Sequence, residues 1–212
     1  MASRVLKLVP RSTLFFVLDL QTRFRPAIHE FDRVVNTTNK MLKVARLLEI
    51  PVIVSEQNPS KLGRSVEQLD FTQLGSLHRK TIEKSLFSLV TPELDAFLKS
   101  EENTHIKSLV LMGIESHICV LQTALDLLER NYDVHVLADG VSSCNKEEVP
   151  FALERMRQAS AQITTSESAV YQLMADAGKP EFRAFAQIIK EETETTKNTL
   201  QALLGGTKAV LK

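Results

Sequence analysis

The sequence predicts an α/β protein: a single doubly wound domain over residues 1–212, with a parallel sheet of about six strands flanked by helices and a helical tail at 181–212. Three observations carry that prediction. Short apolar runs alternate with segments of 12 to 17 residues whose apolar positions recur at helical spacing. Several of the short runs are apolar at every position, as strands buried on both faces of a parallel sheet must be. The 212 residues are 43% hydrophobic, enough for one sizeable core, and show no internal repeat or second core.

The elements follow in order. TLFFVLDL (13–20) is the first buried strand, and VVNTTNKMLKVARLLEI (34–50) a helix with Val35, Met41, Val44, Leu47 and Leu48 on one face. PVIVSEQ (51–57) is a second strand, followed by a loop-rich section through SKLGRS and Gly75. HRKTIEKS (78–85) holds a short third strand, more polar than the others. TPELDAFLKSEE (91–102) begins with a proline at the first helical position, where its missing N–H costs nothing. IKSLVLMGI (106–114) is a strand and ESHICVLQTALDLLER (115–130) its helix, with Ser116 the natural N-cap. DVHVLADG (133–140), KEEVPFALERMRQA (146–159) and AQITTSE (161–167) read as strand, helix and last strand with a helix start. The tail is helical in pattern and broken at Gly205-Gly206. Its charged run KEETETTK (190–197) reads as a solvated face, with Leu200, Leu203 and Leu204 free to dock on a neighbouring subunit.

Composition excludes several roles. Twenty-six basic and 26 acidic side chains cancel, and with two Tyr and no Trp the sequence shows neither a basic footprint nor an aromatic stacking motif for nucleic acid. No apolar run approaches the roughly 18 residues that span a bilayer. Two cysteines far apart, without a signal peptide, fit free thiols in a reducing compartment. The first 18 residues carry Arg4, Lys7 and Arg11 and no acid, a presequence trait, but the first strand begins near Thr13. The cytosol is therefore the first expectation and the mitochondrion the second.

In a doubly wound sheet ligands bind beyond the carboxyl ends of the strands, where the strand order switches. Asp19, Gln57, Lys84, Glu115 to Cys119 and Asp139 all lie at such ends. Asp19 closes an apolar strand, where a carboxylate is costly unless paired; it is either a turn cap or a catalytic base. Lys84 is either a surface lysine or the counter-charge for that acid. Cys119 is either a packed apolar side chain or a thiol whose pKa the helix N-terminus lowers. Together they would make a nucleophile, its base and a positioning cation, with turn amides holding an oxyanion. His117, two residues from Cys119, does not share its helix face and is read as pocket lining. Cys144 is read as a loop cysteine, Asp139 as an anchor, and His29, His105 and His135 as structural or exposed.

GIESHICVLQTALDLLERNYDVHVLADGVSS (113–143), DLQTRF (19–24) and EKSLFS (83–88) resemble the three signatures of the isochorismatase-like cysteine hydrolases. SEQNP (55–59) is similar to the branch of isochorismatase domain-containing proteins. The resemblance implies an Asp19–Lys84–Cys119 triad and cleavage of a small-molecule amide or related acyl bond through a Cys thioester. It also implies a cis peptide between Ile114 and Glu115, oxyanion donors at the backbone N–H groups of Glu115 and Cys119, and a homo-oligomer. Phe24, Glu56 and Gln57 would line the pocket with His117. The related nicotinamidases hold zinc through an Asp-x-His near the second strand; here SEQNPSKLG contains no histidine, so neither a metal nor another cofactor is expected. The alternatives are a non-catalytic scaffold keeping the fold and, less favoured by the charge balance, a nuclease or RNA-associated protein.

Overall fold

The computed structural model describes residues 5–205; Arg4 of the presequence-like segment and the Gly206 break lie outside them. Six strands form one sheet: β1 (Thr13–Leu18), β2 (Val52–Gln57), β3 (His78–Lys84), β4 (Ser108–Ile114), β5 (Asp133–Ser142) and β6 (Gln162–Thr164). Their order is β3-β2-β1-β4-β5-β6 and every pairing is parallel. The expected fold class is the observed one. β1, β2 and β4 are buried at every position, which is why their sequences do not alternate.

Helices α1 (Phe31–Leu47), α2 (Pro59–Leu62), α3 (Pro92–Lys99), α4 (Leu121–Glu129), α5 (Glu148–Gln158), α6 (Ser166–Met174) and α7 (Phe182–Leu204) connect and cover the strands. α1 and α6, with Phe185 of α7, share one apolar cluster with Phe15, Val17, Val54 and Met112. α3, α4 and α5 share the other with Leu14, Phe16, Ile53 and Leu111. Strand residues thus divide between the faces by the period-two rule. At α3, Thr91 is the N-cap, its hydroxyl accepting from the Leu94 N–H at 3.3 Å, and the helix ends at Lys99, short of the expected 102. β5 runs two residues past the expected end because Gly113 and Ile114 pair with Val141 and Ser142 after a register shift.

One expectation about the helices is corrected. The helix expected over 115–130 is split into a wide π-turn at Ser116–Val120 and then α4, with Val120 N–H donating to the Glu115 carbonyl five residues back. Two of the three tail leucines also find partial cover within the chain. Leu203 packs on the α1-side cluster and Leu204 on the α3–α5-side cluster. The charged run also works within the chain: Lys43 Nζ reaches Glu192 at 2.6 Å and Lys40 Nζ reaches Thr196 at 2.9 Å, clamping α7 onto α1. Asp139 does anchor: its carboxylate accepts from the Ser166 N–H at 2.7 Å and from the Ser166 hydroxyl, tying β5 to the start of α6.

His135 on β5 is buried, and its Nε2 finds no hydrogen-bond partner among the described residues. Burial pushes its pKa from 6.5 down to about 4, against the opposing attraction of Asp133. The native state therefore holds a neutral imidazole, whereas the unfolded chain takes up a proton below about pH 6.5. Stability from this group is intact above that pH and falls as the pH drops toward 4, by on the order of 3 kcal/mol. Urea unfolding of the wild type and His135→Leu at pH 7.5 and 4.5 measures it. The variant should lose less stability on acidification than the wild type; equal losses would refute the assignment.

Candidate active site

The order of the sheet puts β1 between β2 and β4, so the chain winds away in opposite directions from β1 and β4 and leaves a crevice beyond their carboxyl ends. Leu18, the last residue of β1, lies in register with Ser55 on one side and Gly113 on the other. Gly113 has φ +141°, and a Cβ there would lie 2.2 Å from the Leu18 carbonyl oxygen. Only glycine lets β4 approach β1 so closely at the floor of the crevice. Asp19 follows at φ +56°, a left-handed conformation that turns its carboxyl off the strand line.

The side chains of Asp19 and Lys84 are both at most 1% exposed and their charged groups meet at 2.8 Å. Lys84 ends β3, two strands from β1, and two interstrand spacings come to roughly 10 Å. A lysine is long enough to cross that gap over β2, where a shorter cation would fall short. The ammonium also donates to Gln57 Oε1 at 2.7 Å and to the carbonyls of Phe87 at 3.1 Å and Leu86 at 3.3 Å. The other carboxylate oxygen, Oδ1, accepts from the Ser55 hydroxyl at 2.7 Å. A buried pair is tolerable only when its remaining lone pairs and protons are satisfied, and here they are.

Cys119, 4% exposed, completes the group from the π-turn, its thiol near enough to the Asp19 carboxylate to be perturbed by its charge. Its backbone is held by Thr123, whose hydroxyl donates to the Cys119 carbonyl at 2.6 Å and accepts from the Leu89 N–H at 2.9 Å. Burial pushes the thiol up to about 12, and the adjacent Asp19 carboxylate pushes the same way; Lys84 opposes them, and Glu115 adds to the rise. This corrects the expectation of a thiolate stabilised by a helix N-terminus. Cys119 sits inside a π-turn rather than at a regular helix start, and a buried thiol beside a carboxylate keeps its proton.

The turn itself differs from expectation. Among the described residues no peptide is cis, so the Ile114–Glu115 bond is trans and the reversal is made by Glu115 at φ +56°. Ser116 is no N-cap: its hydroxyl is hydrogen-bonded to that of Ser143 at 3.0 Å.

The expected pocket residues scatter. Gln57 is committed to Lys84 and, through Nε2, to the Ser85 carbonyl at 2.9 Å. Glu56 alternates with Gln57 to the other face, where it accepts from the Ser65 N–H and Arg64, both at 2.7 Å. These bonds hold its carboxyl below the usual range against the effect of burial, and they fasten the loop after β2. Phe24 packs against the α1-side cluster. His117 turns to Ser143, with Nδ1 3.0 Å from that hydroxyl. Residues absent from the sequence reading include Ser55, whose only signal was a polar residue in an apolar strand. Gln21 is another: fully buried, it accepts from Gln57 N–H at 2.7 Å and donates to the carbonyls of Gln57 and Gly63. A cavity of about 370 Å³ lies beside Lys84, lined by Asn58, Pro59, Ser60, Arg64 and Glu83.

Comparison with known proteins gives a family. The Isochorismatase domain model matches residues 13–168, and the chain belongs to the isochorismatase family. It is 43% identical over 188 residues to the secreted isochorismatase effector Isc1 of Phytophthora sojae, covering 89% of each chain. It is 44% identical over 183 residues to isochorismatase domain-containing protein 1 of Salmo salar, covering 86% of this chain and 62% of that longer protein. Among solved structures, the MAR1 ribonuclease of Caenorhabditis elegans superposes with a TM-score of 0.78 at 35% identity, over 87% of this chain and 93% of that one.

Two outcomes follow from the geometry. Because Cys119 rests as a thiol, its alkylation by iodoacetamide should still be accelerating at about pH 10, whereas a plateau below about pH 8 would reveal a resting thiolate. Mass spectrometry of the Cys119 peptide reads the profile. Lys84→Met leaves Asp19 buried without its counter-charge and should cost about 3–5 kcal/mol in chemical denaturation. A loss under about 1 kcal/mol would mean that the pair is not the anchor described.

Proposed function

We propose that this isochorismatase-family chain is a cysteine hydrolase acting on the amide, or a related acyl bond, of a small molecule. The observation that carries this reading is the buried Asp19 carboxylate, held by Lys84 and Ser55 beside the buried Cys119 thiol. A neutral thiol cannot attack a carbonyl efficiently, but one that passes its proton to an adjacent carboxylate as the S–C bond forms can. Asp19 is the base, Cys119 the nucleophile, and Lys84 the positioning group that holds the Asp19 carboxylate at 2.8 Å.

The sequence of steps balances without a cofactor. Sγ attacks the carbonyl carbon while its proton moves to Asp19, and the backbone N–H groups of Glu115 and Cys119 carry the oxyanion. Asp19 then gives the proton to the leaving amine and a thioester remains. Water, deprotonated by Asp19, attacks the thioester, and the proton passes back to the departing sulfur. Leu86 and Phe87, each about half exposed (52% and 53%), offer an apolar contact beside Lys84 for the acyl part. The cavity at Lys84 has the size of a small-molecule site, though Cys119 is not among its lining residues. The free thiols of Cys119 and Cys144 support a cytosolic setting, and the family resemblance supports a homo-oligomer. Among the described residues no helix is long and apolar enough to cross a membrane.

The ribonuclease name of the 35%-identical structure favours a second reading, RNA cleavage, against which the zero net charge and the fully buried Lys84 count. One screen separates the two: small amides and esters, isochorismate and single-stranded RNA, each with wild type, Cys119→Ala and Asp19→Asn. The amide or ester arm should turn over, Cys119→Ala should abolish it, and Asp19→Asn should lower kcat by about 10²–10⁴-fold. Full activity in Cys119→Ala would sink the mechanism, and cleavage confined to RNA would replace the substrate class.

A further inference from the structure

We propose that Glu115, His117 and Cys144 form a binding site for a divalent transition-metal ion of the zinc class, beside the Asp19–Lys84–Cys119 group and using none of its three side chains. One carboxylate oxygen, one imidazole nitrogen and one sulfur from these three residues lie within 4.8 Å of one another. The residues come from two segments, the turn after β4 and the loop after β5, which meet only because those strands are neighbours. The donor set is the argument for the ion. A mixture of thiolate, imidazole and carboxylate suits zinc, while calcium and magnesium take all-oxygen shells.

Zinc bonds of roughly 2.0–2.3 Å set tetrahedral donors about 3.3–3.8 Å apart, so donors within 4.8 Å close on the ion with shifts of about 1 Å or less each. The two segments are already bound together. The Ser116 and Ser143 hydroxyls meet at 3.0 Å, His117 Nδ1 lies 3.0 Å from Ser143 Oγ, and the Cys144 N–H donates to Glu115 Oε2 at 3.3 Å. Nδ1 itself lies 3.5 Å from Glu115 Oε2, so two ligand atoms face each other before any ion arrives. Glu115 and His117 are half-buried and Cys144 is exposed, which gives two ordered ligands and an open approach. Binding releases the Cys144 thiol proton to solvent, and three protein ligands leave the fourth position for water or a small anion.

This set differs from the Asp-x-His pattern whose absence led the sequence reading to expect no metal. It also does not depend on the hydrolase reading, because Cys119 is not a ligand. Cobalt(II) reports the site directly, since a thiolate bound to it gives a charge-transfer band in the near ultraviolet. The full-length reduced protein, with Cys119→Ala and with Cys144→Ser, is titrated with cobalt(II) and then with zinc by calorimetry. One equivalent should produce the band in the wild type and in Cys119→Ala, and none in Cys144→Ser. Zinc affinity should fall by at least about tenfold in Cys144→Ser and in His117→Ala. A band that persists in Cys144→Ser, or no band in the reduced wild type, overturns the proposal.

Discussion

A carboxylate in the floor of the crevice is the constraint on which the rest of this end of the molecule depends. Removing an ionised carboxyl from water costs several kcal/mol unless charge and hydrogen bonds replace the solvent. Asp19 obtains both from neighbours that only this strand order supplies. Ser55 comes from the adjacent strand β2, and Lys84 comes from β3 beyond it. Gln57 binds Lys84 and is itself held through its backbone by Gln21, so the compensation runs through Ser55, Gln57, Lys84 and Gln21 rather than one pair. A register shift of one residue in β2 would send Ser55 and Gln57 to the opposite face and strand the charge.

The same constraint explains what could be read from the sequence. Buried strands advertise themselves by uniform apolarity, and their alternation with amphipathic helices leaves few topologies open, so the order of elements was legible. The addresses of Asp19, Lys84 and Cys119 followed, because strand ends are where such folds leave room for chemistry. What was not legible depends on φ and on side-chain direction. Glu56 and Gln57 are adjacent in sequence and equally polar, yet the pleat sends one to Arg64 and the other to Lys84. The π-turn was invisible for a related reason. ESHICVLQT has ordinary helical spacing, and only the left-handed start at Glu115 and the pinning of Ser116 to Ser143 widen its first turn. The intramolecular cover of Leu203 and Leu204 was equally hidden, because an apolar stripe shows that a face is covered without showing by what.

The wide turn has a chemical consequence. A regular helix beginning at residue 116 would set Cys119 against the summed dipole of its first amides, and its thiol would lose its proton readily. In the π-turn the thiol is instead buried against Asp19, where carboxylate and desolvation both favour S–H. Thiolate nucleophilicity declines as thiol pKa declines, so a thiol held protonated until its base acts retains more intrinsic reactivity than one ionised in advance. Two negative charges in contact would also have to share a single ammonium. With the proton on sulfur, the resting site carries one carboxylate and one Lys84 ammonium, a balanced pair. In the proposed mechanism the negative charge then moves from Asp19 to the oxyanion as the nucleophile attacks, so the net charge of the site does not change. The raised pKa of Cys119 and the buried Asp19–Lys84 pair are thus one arrangement: the pair keeps its neutrality by leaving the third member neutral too.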